Sequence, residues 1–241
     1  MNQDYSYAEN VLQDLGYTTD EASKIIDDIK QGKYAFHSKK EKSVDESKQN
    51  IWMNDMCTGI DIPVLWYTNH DISPKTVILL AQDPLRDNDY WDYTTENLER
   101  NSHVIIGTPY ALHLSETTKR SPVGTKKKAK HYNVGVYRHI IETLCMEGYN
   151  VYCTDIFKYY MQQKPCKEVT KFDIDIFINE YKLLKPIAII GMGKKAHQAI
   201  KQLEILDEIK TILVKHPRSR PQRTTDTIKK EIIDLLSHKL Q

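Results

Sequence analysis

From Ile51 onward the chain alternates short β-branched runs with amphipathic stretches, and this alternation restricts it to a few folds. Thr76–Leu80, Val104–Ile106, Tyr149–Cys153, Ile187–Ile190 and Thr211–Val214 read as strands. Val134–Met146, Ile174–Leu184, Lys194–Leu206 and Asp226–Lys239 carry helical apolar spacing. Such a pattern is the signature of a parallel sheet flanked by helices. The expectation is a three-layer α/β/α fold with a central, mainly parallel sheet of four or five strands.

The first residues follow a different rule. Ala8, Val11, Leu12 and Leu15 share one helical face, which predicts a helix over 5–15 ended by Gly16. Thr18 and Glu21 form a capping-box pair for a second helix, whose stripe is Ala22, Ile25, Ile26 and Ile29. The two make an N-terminal helical hairpin, read as an added layer over the sheet, with a partner-docking element as the alternative. Residues 37–50 are nearly devoid of apolar side chains and read as an exposed linker. The expected division is a hairpin with a charged linker over 1–45 and an α/β domain over 46–241.

A hydrophobic fraction of 40% and a charged fraction of 28% fit a globular protein that folds unaided. No stretch approaches the ~18 apolar residues of a membrane span, and the opening residues are polar, so a cytoplasmic address is expected, nuclear in a eukaryote. Cys57, Cys145, Cys153 and Cys166 show no paired spacing and read as free thiols, with neither a metal site nor a cofactor expected. A net charge of +1 means that any nucleic-acid contact rests on a local patch, for which Lys119–Lys130 is the candidate. Taken alone, that run is an ordinary solvated loop.

In open α/β sheets ligands bind beyond the carboxyl ends of the strands, so the residues just after each run carry most weight. They are Gln82-Asp83-Pro84, Gly107-Thr108-Pro109-Tyr110, Thr154-Asp155, Gly191-Met192-Gly193 and Lys215-His216-Pro217-Arg218. Singly each is weak: Asp-Pro commonly caps a turn, and Gly191–Gly193 lacks the rest of a dinucleotide fingerprint, so it reads as tight strand–helix packing.

Their order says more. An apolar strand ending in Ala81-Gln82-Asp83-Pro84 resembles the motif that carries the water-activating aspartate in the best-known uracil-DNA glycosylase family. The segment from Leu213 to Ser219, through His216 and Pro217, resembles that superfamily's second signature. VYCTDIFKYY (151–160) is similar to its base-reading strand, often Thr-Asn-hydrophobic-x-Lys, and 186–200 to its penultimate strand, glycine turn and helix. The resemblance covers about 60–240 and leaves the hairpin outside.

The resemblance implies a monomeric, cofactor-free DNA glycosylase acting on duplex or single-stranded DNA. It flips out a damaged or deaminated base, uracil first among them, and hydrolyses the N-glycosidic bond with an Asp-activated water. Base excision through an oxocarbenium-like state needs a carboxylate to orient water and a donor for the departing base. Asp83 and His216 fit these roles. Gln82, Leu85, Tyr110, Thr154 and Asp155 are the expected base contacts, with Tyr110 stacking on the flipped base or, nearly as well, packing in the core. Lys126, Lys127, Lys128, Lys215, Arg218, Ser219 and Arg220 are the expected DNA contacts; Lys215 also leaves a Schiff-base route open.

Three departures alter the chemistry. Leu85 replaces a tyrosine that screens the base at C5. Thr154 or Asp155 replaces the base-reading asparagine, and an ionised carboxylate only accepts, so Asp155 favours a base presenting an amino group unless it is protonated. Arg218 and Arg220 stand where a serine and an apolar wedge are expected, and suit phosphate binding or gap filling. The alternative reading is a catalytically altered or inactive member that binds DNA or a protein. A phosphate-binding α/β protein using Gly191–Gly193 has the least support.

Overall fold

In the computed structural model the described residues are 1–30, 35–37, 58–68, 75–82, 102–104, 134–161, 168–203, 210–215 and 225–240. The strands are β1 (Asn2–Asp4), β2 (Ala35–His37), β3 (Thr58–Ile60), β4 (Val64–Tyr67), β5 (Thr76–Ala81), β6 (Ser102–Val104), β7 (Asn150–Asp155), β8 (Tyr159–Met161), β9 (Ala188–Met192) and β10 (Lys210–Val214). The helices are α1 (Ser6–Asp14), α2 (Thr19–Lys30), α3 (Val134–Met146), α4 (Lys171–Leu184), α5 (Lys194–Gln202) and α6 (Thr225–Leu240).

Six strands form the central sheet in the order β1-β4-β7-β5-β9-β10. β7, β5, β9 and β10 are mutually parallel, whereas β4 runs antiparallel to both β1 and β7. Alternate side chains of the strands feed two cores. Val77, Leu79, Val151, Cys153, Ile190 and Ile212 join Ile140 and Ile141 of α3 and Ile228 and Ile232 of α6 on one face. Ile78, Leu80, Tyr152 and Ile189 join Phe177 of α4 and Ala196 and Ile200 of α5 on the other. Period-two burial on both faces is why these strands read as continuous apolar runs.

Two strands of the central sheet were not expected, nor were β2, β3 and β8 of the two small sheets. β4 (VLWY) follows Pro63 and closes the β7 side of the parallel block, and β1, with the polar sequence NQD, pairs with it at the sheet's edge. The run expected as a second parallel strand, Val104–Ile106, is corrected: the strand is Ser102–Val104, and it pairs antiparallel with Ala35–His37 in a separate two-stranded sheet. Its β-branched composition carried the local preference, but strand partners are chosen by tertiary packing.

The N-terminal helices form as expected. Thr18 and Glu21 exchange capping-box bonds at the start of α2, and Ala8, Val11, Leu12, Ala22, Ile25 and Ile26 are buried in the first core. α4 starts three residues earlier than expected because Thr170 and Asp173 make their own capping box. Among the described residues, no helix is long and apolar enough to cross a membrane. Cys145 and Cys153 are buried and free; Cys57 and Cys166 lie outside the described residues.

Candidate active site at the carboxyl edge of the sheet

The parallel register brings several expected site residues to one edge. Ala81 lies opposite Asp155, Leu80 opposite Gly191, and Met192 opposite Val214. Gln82, half-buried, therefore leaves β5 beside the end of β7, and exposed Lys215 leaves β10 beside Gly193. The backbone N–H groups of Ile156 and Phe157 donate to Ala81 O and Gln82 O, both at 3.1 Å, which ties the turn after β7 to the exit of β5. Thr154 and Asp155 are fully buried.

Asp83, Leu85, Tyr110, Lys126, Lys127, Lys128, His216, Arg218, Ser219 and Arg220 lie outside the described residues. Two of them directly follow described ones, Asp83 after Gln82 and His216 after Lys215. Their parent strands, β5 and β10, are separated only by β9, so the strand ends stand two inter-strand spacings apart, ~10 Å.

Beneath the end of β7 lies an ionic network. Lys158, wholly buried, donates to Asp61 Oδ2 (2.8 Å) and Thr154 Oγ1 (2.7 Å), and its ammonium forms an ion pair with Glu180 Oε2 (2.5 Å). The Tyr152 hydroxyl donates to Glu180 Oε1 at 2.6 Å. The Thr154 hydroxyl has one proton for two acceptors, Asp61 Oδ2 at 2.6 Å and Glu180 Oε1 at 2.8 Å. Asp61 Oδ2 also accepts the Asp155 backbone N–H at 3.2 Å. The Lys158 backbone is held as well: its N–H donates to Asp173 Oδ1 at 3.0 Å and its carbonyl accepts the Asp61 N–H at 2.9 Å.

Burial alone would lower the Lys158 pKa, but Asp61 and Glu180 outweigh it and hold the ammonium above its ordinary range. A protonated amine has no lone pair for a Schiff base, so Lys158 serves structure and electrostatics. Glu180 is shifted up, first by burial, with the Asp61 charge adding and Lys158 opposing. Burial also lifts the Tyr152 phenol, which stays a donor.

The end of β10 is held by hydrogen bonds to backbone carbonyls rather than by an ion pair. His197 of α5 places Nε2 3.0 Å from both Gly191 O and Val214 O; since both are acceptors, Nε2 carries the proton. Val214 O also accepts the Gly193 N–H at 2.8 Å. Two glycines make this approach possible. Gly193 caps α5 at φ 91°, a conformation that glycine adopts freely. A Cβ on Gly191 would lie 2.6 Å from Ile200 Cδ1. The Gly191–Gly193 segment is thus tight strand–helix packing.

Asp61, Glu180 and His197 were not singled out from sequence. Glu180 had a signal, since it falls on the α4 stripe with Asp173, Ile176 and Phe177, where a charge needs a partner. Lys158 belongs to the quoted base-reading motif but had been given no role. Asp61 had no local signal: it is 97 residues from Lys158 in sequence. Among the described residues, no group of three or more histidine, cysteine, aspartate or glutamate side chains is arranged to hold a metal ion.

No curated protein matches the chain. The family model described as the uracil DNA glycosylase superfamily matches residues 77–237, from inside β5 to within α6. That span covers β7, β9 and β10, β5 from its second residue, and every exit discussed above. With most of its length inside that match and this strand order, the chain belongs to the uracil DNA glycosylase superfamily.

Proposed function

We propose that the chain is a DNA glycosylase that extrudes a damaged or deaminated base, uracil first among them, and hydrolyses its N-glycosyl bond. The superfamily acts on N-glycosyl bonds in DNA. The observation that carries the finer reading is the shared carboxyl edge: Asp83 and His216 each follow, within two residues, a strand end on that edge.

In this reading Asp83 orients water and faces the positive charge that develops on the sugar, while His216 donates a hydrogen bond to the departing base. Gln82, Leu85, Tyr110 and Asp155 surround the extruded base. Thr154 contributes from beneath, because its hydroxyl is engaged with Asp61, Glu180 and Lys158. Lys126, Lys127, Lys128, Lys215, Arg218, Ser219 and Arg220 supply DNA contacts.

The test is incubation of the purified protein with oligonucleotides carrying uracil, other deaminated bases or mismatched pyrimidines, followed by scoring of abasic sites. Asp83→Asn is expected to slow release by at least ~100-fold while leaving DNA affinity nearly intact, because the lost interaction is made mainly in the transition state. Turnover by Asp83→Asn at the native rate would assign the carboxylate role elsewhere. DNA binding by the native chain without release of any base would favour the non-catalytic reading.

A further inference from the structure

Asp61 lies outside the stretch matched by the superfamily model, which begins at residue 77, yet its side chain reaches the end of the base-reading strand. We propose that Asp61 is a positioning residue that fixes Asp155 at the carboxyl edge, so that the extruded base meets a group already held in place. The inference rests on the reading of Asp155 as a base-facing residue.

β4 begins at Val64, opposite Cys153, so on that side β7 outruns its antiparallel partner. The Asp155 N–H has passed the end of the ladder there, and a buried N–H needs an acceptor. Asp61, three residues before β4, supplies Oδ2 in place of a strand carbonyl. Asp61 is itself held through its own N–H, which donates to Lys158 O, and by the ammonium of Lys158.

Charge balance separates this role from simple stabilisation. One ammonium faces two carboxylates, and Glu180 alone would neutralise it while accepting the Tyr152 and Thr154 hydroxyls. A second buried carboxylate brings a further desolvation cost. The contact that Asp61 makes and Glu180 does not is the one to Asp155 N–H.

Asp61→Ala and Glu180→Gln each remove one carboxylate and leave Lys158 with one counter-charge, so both should fold. Asp61→Asn keeps an oxygen for the Asp155 N–H. Two readouts are needed: kcat and KM on whichever oligonucleotide the native protein cleaves, and hydrogen exchange of the Asp155 amide in free protein.

Asp61→Ala should lower kcat by ~10-fold or more, since small displacements at a reacting centre carry losses of this size, with KM within ~3-fold of native. Asp61→Asn and Glu180→Gln should stay within ~3-fold of native in kcat. Asp155 amide exchange should accelerate in Asp61→Ala alone. If Asp61→Ala does not fold, Asp61→Glu, which keeps the charge but moves the oxygen, should show the same loss of kcat and the same faster exchange.

Unchanged Asp155 exchange in Asp61→Ala, or equal kcat losses in Asp61→Ala and Glu180→Gln, would overturn the proposal. A native protein that releases no base would sink the glycosylase reading, and the exchange measurement would still decide whether Asp61 holds Asp155.

Discussion

The ends of β7 and β10 lie on the same edge of one sheet, yet they are held by different physics. At β7 one ammonium, two carboxylates and two hydroxyls sit out of water and brace Asp155. At β10 the His197 ring N–H and a backbone N–H converge on the carbonyl of Val214, two residues before His216. Ionic bracing is strong but intolerant of losing its one cation, because the carboxylates left behind are stranded away from water. Bracing by hydrogen bonds to carbonyls alone is weaker and more forgiving.

The sharpest way to break this comparison is to remove the shared cation. Lys158→Met leaves two buried carboxylates without a counter-charge and should destabilise the fold by about 3–5 kcal/mol in urea denaturation. A loss below ~1 kcal/mol would mean that the network is no brace. Next in size is Gly191→Ala, which forces a methyl against Ile200 and should cost about 1–3 kcal/mol by the same measurement. His197→Ala should cost about 1 kcal/mol, and His197→Gln should recover part of it if the amide donates in place of the ring N–H. An alanine variant as damaging as Lys158→Met would erase the distinction between the two ends.

The smallest effect concerns pH. Glu180 has a raised pKa in the fold, so the folded state holds its proton over a range where the unfolded chain has lost it. Its contribution to stability is complete below the ordinary carboxylate range and is lost as pH rises through the raised value. Glu180→Gln should therefore flatten the fall in Tm as pH rises above the ordinary carboxylate range. An equal or steeper fall in the variant would place the relevant proton on another group.

How much of this was legible beforehand divides along the same lines. β5, β7, β9, β10 and the helices announce themselves through apolar periodicity within a single window of sequence. β1 has no apolar signal because it is a short polar edge strand, and β4 depends on a partner far along the chain. The strand expected at Val104–Ile106 had the right composition but a different partner, which composition does not encode. At the site, motif order pointed to Asp83, Asp155 and His216. Asp61 was invisible because its meaning depends on Lys158, Thr154 and Asp155, all more than ninety residues away. The α4 capping box was readable in the Thr170–Asp173 spacing and was missed.

The position of the N-terminal hairpin has a consequence for biosynthesis. α1 and α2 are synthesised before β5, β7 and β9, whose residues share one buried core with Ala8, Val11, Leu12 and Ile25. Those strands are translated much later, β9 not until Ala188–Met192 is made. The nascent hairpin therefore spends an interval without these strands to complete its core, while synthesis proceeds at ~5–20 residues per second. For these helices, completion of the sheet is the event that ends exposure to chaperones and to aggregation.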